Sequence, residues 1–197
     1  FSGDCAGLAM SGLYGWKEMD VEKEDGSFIK QKVPIIQTEF AFRLKAKEGD
    51  RIPLHKVREL MFDLRAQGYN IKKFTADLRL ASEDTIQILK KSGFDAQYFS
   101  VDINDKPYAD FRNLIYEKRW IAPNIEYLTF DMANLEHDQE TRKVDHPIEV
   151  KELEILSTGG IVDTVREGSK DLCDGVCGSI INCLYATKLP REQEDLK

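Results

Sequence analysis

The chain has 197 residues, of which 42% are hydrophobic and 32% charged, and it carries a formal net charge of −7. These values are typical of a soluble globular protein of one domain, and no apolar run reaches the roughly 18 residues that a membrane span needs. The acidity argues against a nucleic-acid coat protein, which would be basic. It does not exclude a nuclease, because bound divalent metal reverses the local charge of a carboxylate site.

Cysteine usage and the first residues indicate a reducing, non-secretory location. Cys173 and Cys177 lie four residues apart, and the sequence contains no second Cys/His pair at zinc-binding spacing. We therefore expect them to be small core residues in a reducing compartment. Residues 1–10 lack the basic start and the long apolar stretch of a signal peptide, so we expect a protein that is not secreted.

Hydrophobic periodicity, with glycines as breakers, predicts alternating strands and helices. A charged turn is expected at 22–26, Gly68 and Gly93 should end helices, and 136–165 is polar and rich in turn signals around Gly159-Gly160. In chain order, the predicted elements are a Gly-rich strand or hairpin over 6–16, a strand over 33–45, a helix over 57–64, a strand over 71–76, a helix over 82–92, a strand over 97–101, and helices over 108–115 and 125–132.

This order predicts an α/β fold with a partly parallel sheet that is covered on both faces. In such sheets the ligand crevice lies beyond the carboxyl ends of the strands. Asp77 directly follows the strand predicted over 71–76. It is therefore a candidate site residue, although a strand-end aspartate also commonly forms a turn or caps a helix.

The last predicted helix spans 170–184, and Ser169 is placed to cap its first N–H groups. Four apolar residues recur at every fourth position and should form one buried stripe. They are Leu172, Val176, Ile180 and Leu184. Gly175 and Gly178 lie in the same segment, where glycine lowers helix stability but permits a close approach of backbone or ligand.

Asp171 and Asp174 are three residues apart, so both carboxylates lie on one face of the first helical turn. Such a pair could hold a divalent cation. The alternative is that the two acids only favour the helix dipole. Two-metal phosphodiester hydrolysis needs three or four carboxylates around Mg²⁺ or Mn²⁺, and Asp77 could complete that set.

Four stretches, taken together, resemble the nuclease domain of the bacteriophage terminase large subunit, a member of the RNase H-like (retrovirus-integrase-like) superfamily. The stretches are 2–10, 74–77 followed by 82–93, 143–147 and 168–174. The resemblance implies a mixed sheet flanked by helices over residues 1–197. It further implies an endonuclease in the host cytoplasm that cuts concatemeric double-stranded viral DNA at the start and end of packaging.

The resemblance also implies specific metal ligands. Asp77 corresponds to the ligand on the second strand, Asp174 to the acid of the last helix with Asp171 beside it, and Asp4 to an auxiliary acid. The family's ligand on the first strand would precede Phe1, as would the ATPase domain. In the full-length protein the partners would be the portal and the small terminase subunit, and no membrane is involved.

Four residues near these acids are candidates for DNA contact. Lys170 could contact the scissile phosphate or reduce repulsion between the carboxylates, with a solvated surface lysine as the alternative. Arg79 and Ser82 could contact the DNA backbone, with helix capping as the alternative for Ser82. His146 could contact DNA or act near the metal, with a structural turn histidine as the alternative.

Two rival functions remain open at this stage. Another RNase H-like nuclease, such as a Holliday-junction resolvase, also carries paired acids on its last helix. A non-catalytic module that docks DNA or portal within a larger motor is the second rival. The sequence lacks a G-x-x-x-x-G-K-[ST] phosphate loop, so these residues do not form the packaging ATPase.

Overall fold

The computed structural model describes residues 5–23, 25–46, 52–77, 82–147, 149–155 and 161–187, with the backbone alone for 151–155, 161–167 and 187. The described strands are β1 (Cys5–Glu22), β2 (Phe28–Lys45), β3 (Lys73–Ala76), β4 (Asp95–Tyr98), β5 (Trp120–Ile121), β6 (Glu136–Asp138), β7 (Lys143–Asp145), β8 (Glu149–Ile155) and β9 (Ile161–Glu167). The described helices are α1 (Leu54–Ala66), α2 (Glu83–Lys91), α3 (Lys106–Tyr116), α4 (Glu126–Ala133) and α5 (Asp171–Thr187).

The largest sheet is mixed and has the strand order β1-β2-β5. β1 and β2 form a long antiparallel hairpin, and β5 pairs in parallel with β2 at Ile36 and Gln37. β3 and β4 form a separate parallel pair, whereas β6–β7 and β8–β9 are antiparallel hairpins. The described residues thus form a mixed α/β structure, as the sequence predicts.

The main core lies where α5 packs on the half of the β1–β2 hairpin nearer its open end and where α3 and α4 pack against α5. Its fully buried members include Ile36 of β2, Leu114 of α3 and Ile180 of α5. A smaller core joins α1 and α2 to β3 and β4 through Met61, Leu89 and other apolar residues. None of the described helices is long and apolar enough to cross a membrane.

A chain of polar groups crosses the main core. The Trp120 indole donates to Thr38 Oγ1 at 2.9 Å, and Thr38 Oγ1 lies 3.0 Å from Ser11 Oγ. Ser11 Oγ lies 2.6 Å from Ser179 Oγ, which in turn donates to the Val176 carbonyl oxygen at 2.8 Å. One hydroxyl orientation satisfies every group in the chain, which links β5, β2, β1 and α5.

Most of the predicted elements are confirmed within a few residues, and left-handed glycines (φ +97° at Gly68, +81° at Gly93) follow α1 and α2 as predicted. Cys173 and Cys177 are free thiols in the core, also as predicted. The predicted loop at Gly159-Gly160 lies outside the described residues.

Three structural predictions were wrong. The strand predicted over 97–101 is β4, which begins at Asp95 and ends at Tyr98. The polar segment over 136–165 contains two hairpins instead of turns alone. Coverage of both sheet faces is incomplete, because the far part of the β1–β2 hairpin exposes large apolar side chains. They include Tyr14, Trp16 and Phe28.

Candidate functional site

The start of α5 is fixed by local hydrogen bonds, as its sequence predicts. Ser169 Oγ donates to Asp171 Oδ2 at 2.9 Å and accepts from the Asp171 backbone N–H at 3.4 Å. The predicted apolar stripe is confirmed, since Leu172, Val176 and Ile180 are buried and Leu184 is half-buried. Asp171 and Asp174 lie in the first turn of the same helix, on the side opposite this stripe.

Two glycines bring this turn against β1. A Cβ built on Gly7 would lie 1.8 Å from the Asp171 carbonyl oxygen, and one on Gly175 would lie 2.8 Å from the Gly7 carbonyl oxygen. Neither position has space for a side chain. The close approach predicted for Gly175 is thereby confirmed, whereas at Gly178 a Cβ would make only an ordinary contact with Val101.

A cavity of about 1090 Å³ lies between β1 and β3, with α5 and α1 forming further walls. Residues 5–13 line one side and 71–77 the other. Asp77, Asp171 and Asp174 all line it, together with Asp102 from the loop after β4. The structure thus brings three of the four predicted ligands to one cavity, while Asp4 lies outside the described residues.

Asp174 is the most strongly perturbed of these acids. Tyr108 on α3 donates its hydroxyl to Asp174 Oδ1 at 2.5 Å. The pKa of Asp174 is raised to about 7, mainly by burial; the Tyr108 hydrogen bond and Lys170 act to lower it, and the charges of Asp102 and Asp171 act to raise it. The charged form of this carboxylate is therefore disfavoured by its surroundings, and a cation beside it would favour that form.

Lys170 is paired within the protein. Its Nζ donates to Asp102 Oδ1 at 2.5 Å and to the Val144 carbonyl oxygen at 3.1 Å. Burial acts to lower the pKa of Lys170, but the Asp102 hydrogen bond and the charges of Asp174, Asp102 and Asp145 raise it overall. The Lys170 ammonium is therefore paired with Asp102, and the charges of Asp174 and Asp145 also act on it.

A second ion pair joins β2 to α4, close to the first turn of α5. Arg43 of β2 donates to Asp131 Oδ2 of α4 at 2.6 Å, and the Asp131 side chain is only 2% exposed. Burial raises the pKa of Asp131, while Arg43 lowers it and Asp171 raises it again. The pair neutralises one more buried acid close to the predicted ligands.

The other predicted DNA contacts are placed as follows. Ser82 is the N-cap of α2, where its Oγ accepts from the Thr85 backbone N–H at 3.3 Å. The His146 ring packs near Gly168, and its Nδ1 lies 3.1 Å from Asp145 Oδ1 without hydrogen-bond geometry. The alternative interpretation of Ser82 as a helix cap is confirmed, and Arg79 lies outside the described residues.

Sequence reasoning missed several residues that surround Asp174 and Asp171. Tyr108 donates to Asp174, Asp102 accepts from Lys170, and Arg43 pairs with Asp131 of α4, and all three lie on elements distant in sequence from α5. A tertiary contact between residues 66 apart, as for Tyr108 and Asp174, leaves no local pattern. The helical spacing that includes Tyr108 indicated only a core position.

The donors around the cavity have the chemistry that Mg²⁺ and Mn²⁺ prefer, namely carboxylate oxygens. In the part of the chain that the structure describes, however, no group of three or more His, Cys, Asp or Glu side chains is assembled to hold a metal ion. Comparison of the chain with family models, with curated proteins and with solved structures found no match.

Proposed function

We propose that this chain is a Mg²⁺- or Mn²⁺-dependent DNA endonuclease domain of the terminase large-subunit type, with an RNase H-like fold. The observation that carries the proposal is that Asp77, Asp171 and Asp174, which come from separate regions of the sequence, line one cavity. A two-metal phosphodiesterase requires three or more carboxylates that converge on its cations, and these three share a cavity.

Electrostatics at Asp174 support a cation site. A carboxylate whose pKa is raised to about 7 by burial and by neighbouring acids would be stabilised in its charged form by a divalent cation. Asp77, Asp174 and Asp171 would hold the metal, with Asp4 as a further candidate. When bound, the metal pair would supply an activated water and stabilise the leaving oxygen.

The architecture is compatible with the proposed fold. The described residues form a mixed three-stranded sheet, a separate parallel pair and a last helix packed on the β1–β2 hairpin, which is compatible with the mixed α/β class that the resemblance implies. The finer assignment to the RNase H-like class is part of the proposal.

The proposed substrate is concatemeric double-stranded viral DNA, and the proposed partners in the full-length protein are the portal and the small terminase subunit. In this account Lys170 reduces repulsion between the acids, since its Nζ is bound to Asp102 and Val144. Arg79 and His146 remain the proposed contacts to the DNA backbone. The proposed location is the host cytoplasm.

Cleavage of supercoiled plasmid in Mn²⁺ tests the proposal. The parent chain should nick the plasmid, and Asp77→Asn and Asp174→Asn should each abolish nicking. Asp84→Asn, which changes an exposed aspartate in the first turn of α2, is the matched control and should retain activity. Equal nicking by the parent and Asp174→Asn would refute the assignment.

A non-catalytic docking module is the second candidate, and one observation favours it. The described residues contain no assembled group of three metal ligands. A docking module has no reason to bind Mn²⁺ through Asp77 and Asp174. Metal binding that needs both aspartates would therefore exclude this candidate even if the isolated chain does not cut DNA.

A further inference from the structure

The cavity between β1 and β3 runs along the edges of these two strands. It is lined without interruption by residues 5–13 on one side and by residues 69–77 on the other. Successive side chains of a strand point to opposite faces, so a cavity over one face would be lined by every second residue. This cavity therefore lies beside the two strands, where their backbone N–H and C=O groups point.

Both of these strand edges are open to pairing. β1 is the outer strand of the β1-β2-β5 sheet, and in the part of the chain that the structure describes β3 pairs with β4 alone. The described residues of β4 do not line the cavity, so it lies on the unpaired side of β3. An unpaired strand edge presents backbone donors and acceptors that can pair with a further strand.

Helices cover the cavity on two opposite sides. On one side lies α5, which contacts both strands: Ser179 Oγ lies 2.6 Å from Ser11 Oγ of β1, and Asn182 Nδ2 donates to Thr75 Oγ1 of β3 at 2.8 Å. The other side is lined by α1 through Val57, Met61 and Leu64. A space bounded by two strand edges and two helices has the shape that one strand fills in an α/β sheet.

The side chains along the two strands indicate which kind of segment would fit. Toward α5 the strands carry small residues, since Gly7 is in backbone contact with α5 and Ser11 and Thr75 contact it through their hydroxyls. Toward α1 they carry larger apolar residues, because Leu8 lines a groove shared with α1 and Phe74 packs in the smaller core. A strand between them needs small side chains toward α5 and large apolar side chains toward α1.

We propose that this cavity is the binding site of an additional β-strand, which pairs with β1 along one edge and with β3 along the other. The occupant is an extended peptide segment with large apolar side chains at every second position and small side chains between them. Each described strand lies elsewhere in the fold, so this segment comes from outside the described residues. The strand site is independent of the proposed function, because it uses strand edges and apolar side chains and not the aspartates.

A synthetic peptide with the sequence Ser-Val-Ala-Leu-Ala-Val-Ser, followed by two lysines for solubility, tests the inference. The first control has the same composition without the alternation, Ser-Ala-Ala-Leu-Val-Val-Ser. The second control keeps the sequence but carries N-methyl groups on its valines and leucine, which removes the N–H donors of one strand edge. Amide hydrogen exchange of the chain is measured by NMR during titration with each peptide.

The alternating peptide should bind about 10-fold or more tightly than either control, because the controls lose side-chain fit or backbone hydrogen bonds. It should slow amide exchange over both 6–13 and 71–76. Exchange over 28–35 should not change, although this part of β2 also has an edge without a neighbouring strand.

Three results would overturn the inference. The first is no binding of the alternating peptide at about 1 mM. The second is equal affinity for either control peptide, which would show an apolar cavity without strand pairing. The third is protection of only one of the two strands, or equal protection of 28–35, which would show pairing with any open edge and not insertion between β1 and β3.

Discussion

Gly7 of β1 and Gly175 of α5 are in backbone contact, and this contact places the acidic turn of α5 on the sheet. A Cβ on Gly175 would lie 2.8 Å from the Gly7 carbonyl oxygen, and one on Gly7 would lie 1.8 Å from the Asp171 carbonyl oxygen. The obstructing atoms are backbone, which cannot rotate away as a side chain could. The position of Asp171 and Asp174 therefore depends on two residues without side chains.

Gly7→Ala should destabilise the protein by about 3 kcal/mol or more, because the methyl group forces α5 away from β1. Gly12→Ala is the control, since a Cβ there meets nothing within 4 Å. Urea unfolding should show a lower midpoint for Gly7→Ala alone. Equal midpoints for the two variants would mean that the contact is not as close as described.

Replacing Arg43 should be costly because it leaves Asp131 buried without its partner. We expect Arg43→Met to lower the free energy of unfolding by about 3 kcal/mol, the lower end for a broken buried pair, since Arg43 is partly exposed. Lys56→Met breaks an exposed pair with Glu59 and should cost less than about 1 kcal/mol. Asp131→Leu added to Arg43→Met should recover part of the loss, and no recovery would contradict this account.

The stability of the protein should depend on Thr38, which lies in the middle of the polar chain through the core. Thr38→Val keeps the shape of the side chain but removes the partner of the Trp120 indole and of Ser11, at a cost of about 1–3 kcal/mol. Thr129→Val, at an exposed position of α4, should change stability by less than about 0.5 kcal/mol. Chemical denaturation of both variants measures the two free energies of unfolding. If Thr38→Val lowers this free energy no more than Thr129→Val does, the polar chain does not stabilise the fold.

The raised pKa of Asp174 predicts a pH dependence of stability. The folded-state pKa of about 7 lies above the ordinary value of 3.8, so the folded state binds more protons than the unfolded state between these values. The stability that protonated Asp174 contributes is therefore complete below about pH 4 and is lost as pH rises through 7. In metal-free buffer, the parent should lose about 2–3 kcal/mol relative to Asp174→Asn between pH 5 and pH 8.

Urea unfolding of the two proteins at both pH values, with EDTA present, measures this difference. Addition of Mn²⁺ at pH 8 should restore stability to the parent and have no effect on Asp174→Asn, because a ligand stabilises only the state that binds it. Parallel pH profiles for the two proteins would show that Asp174 has an ordinary pKa.

Local patterns predicted much of the fold. The stripe from Leu172 to Ile180 and the cap at Ser82 are encoded within a few residues, so periodicity and capping rules suffice for α5 and α2. The β8–β9 hairpin was missed because β8 carries three glutamates and a lysine among its seven residues, which are depleted in strands. Its pairing with β9 is a tertiary property.

Three acids of the site were predictable from the sequence, whereas Asp102 was not. Asp77, Asp171 and Asp174 follow from strand ends and helix spacing, and they line one cavity. Tyr108 could not be predicted, because it reaches Asp174 from an element that is distant in sequence. Which oxygen of Asp174 is held, and by which donor, depends on how α3 packs against α5.

Crystals grown with Mn²⁺ offer the most direct test of the central claim, because anomalous scattering identifies the ion and its ligands together. We expect an anomalous peak in the cavity between β1 and β3, within coordination distance of the Asp77 and Asp174 carboxylates. Asp174→Asn crystals should lack that peak. A cavity free of Mn²⁺ at saturating concentration, or a peak that persists unchanged in Asp174→Asn, would contradict the proposed metal-dependent nuclease.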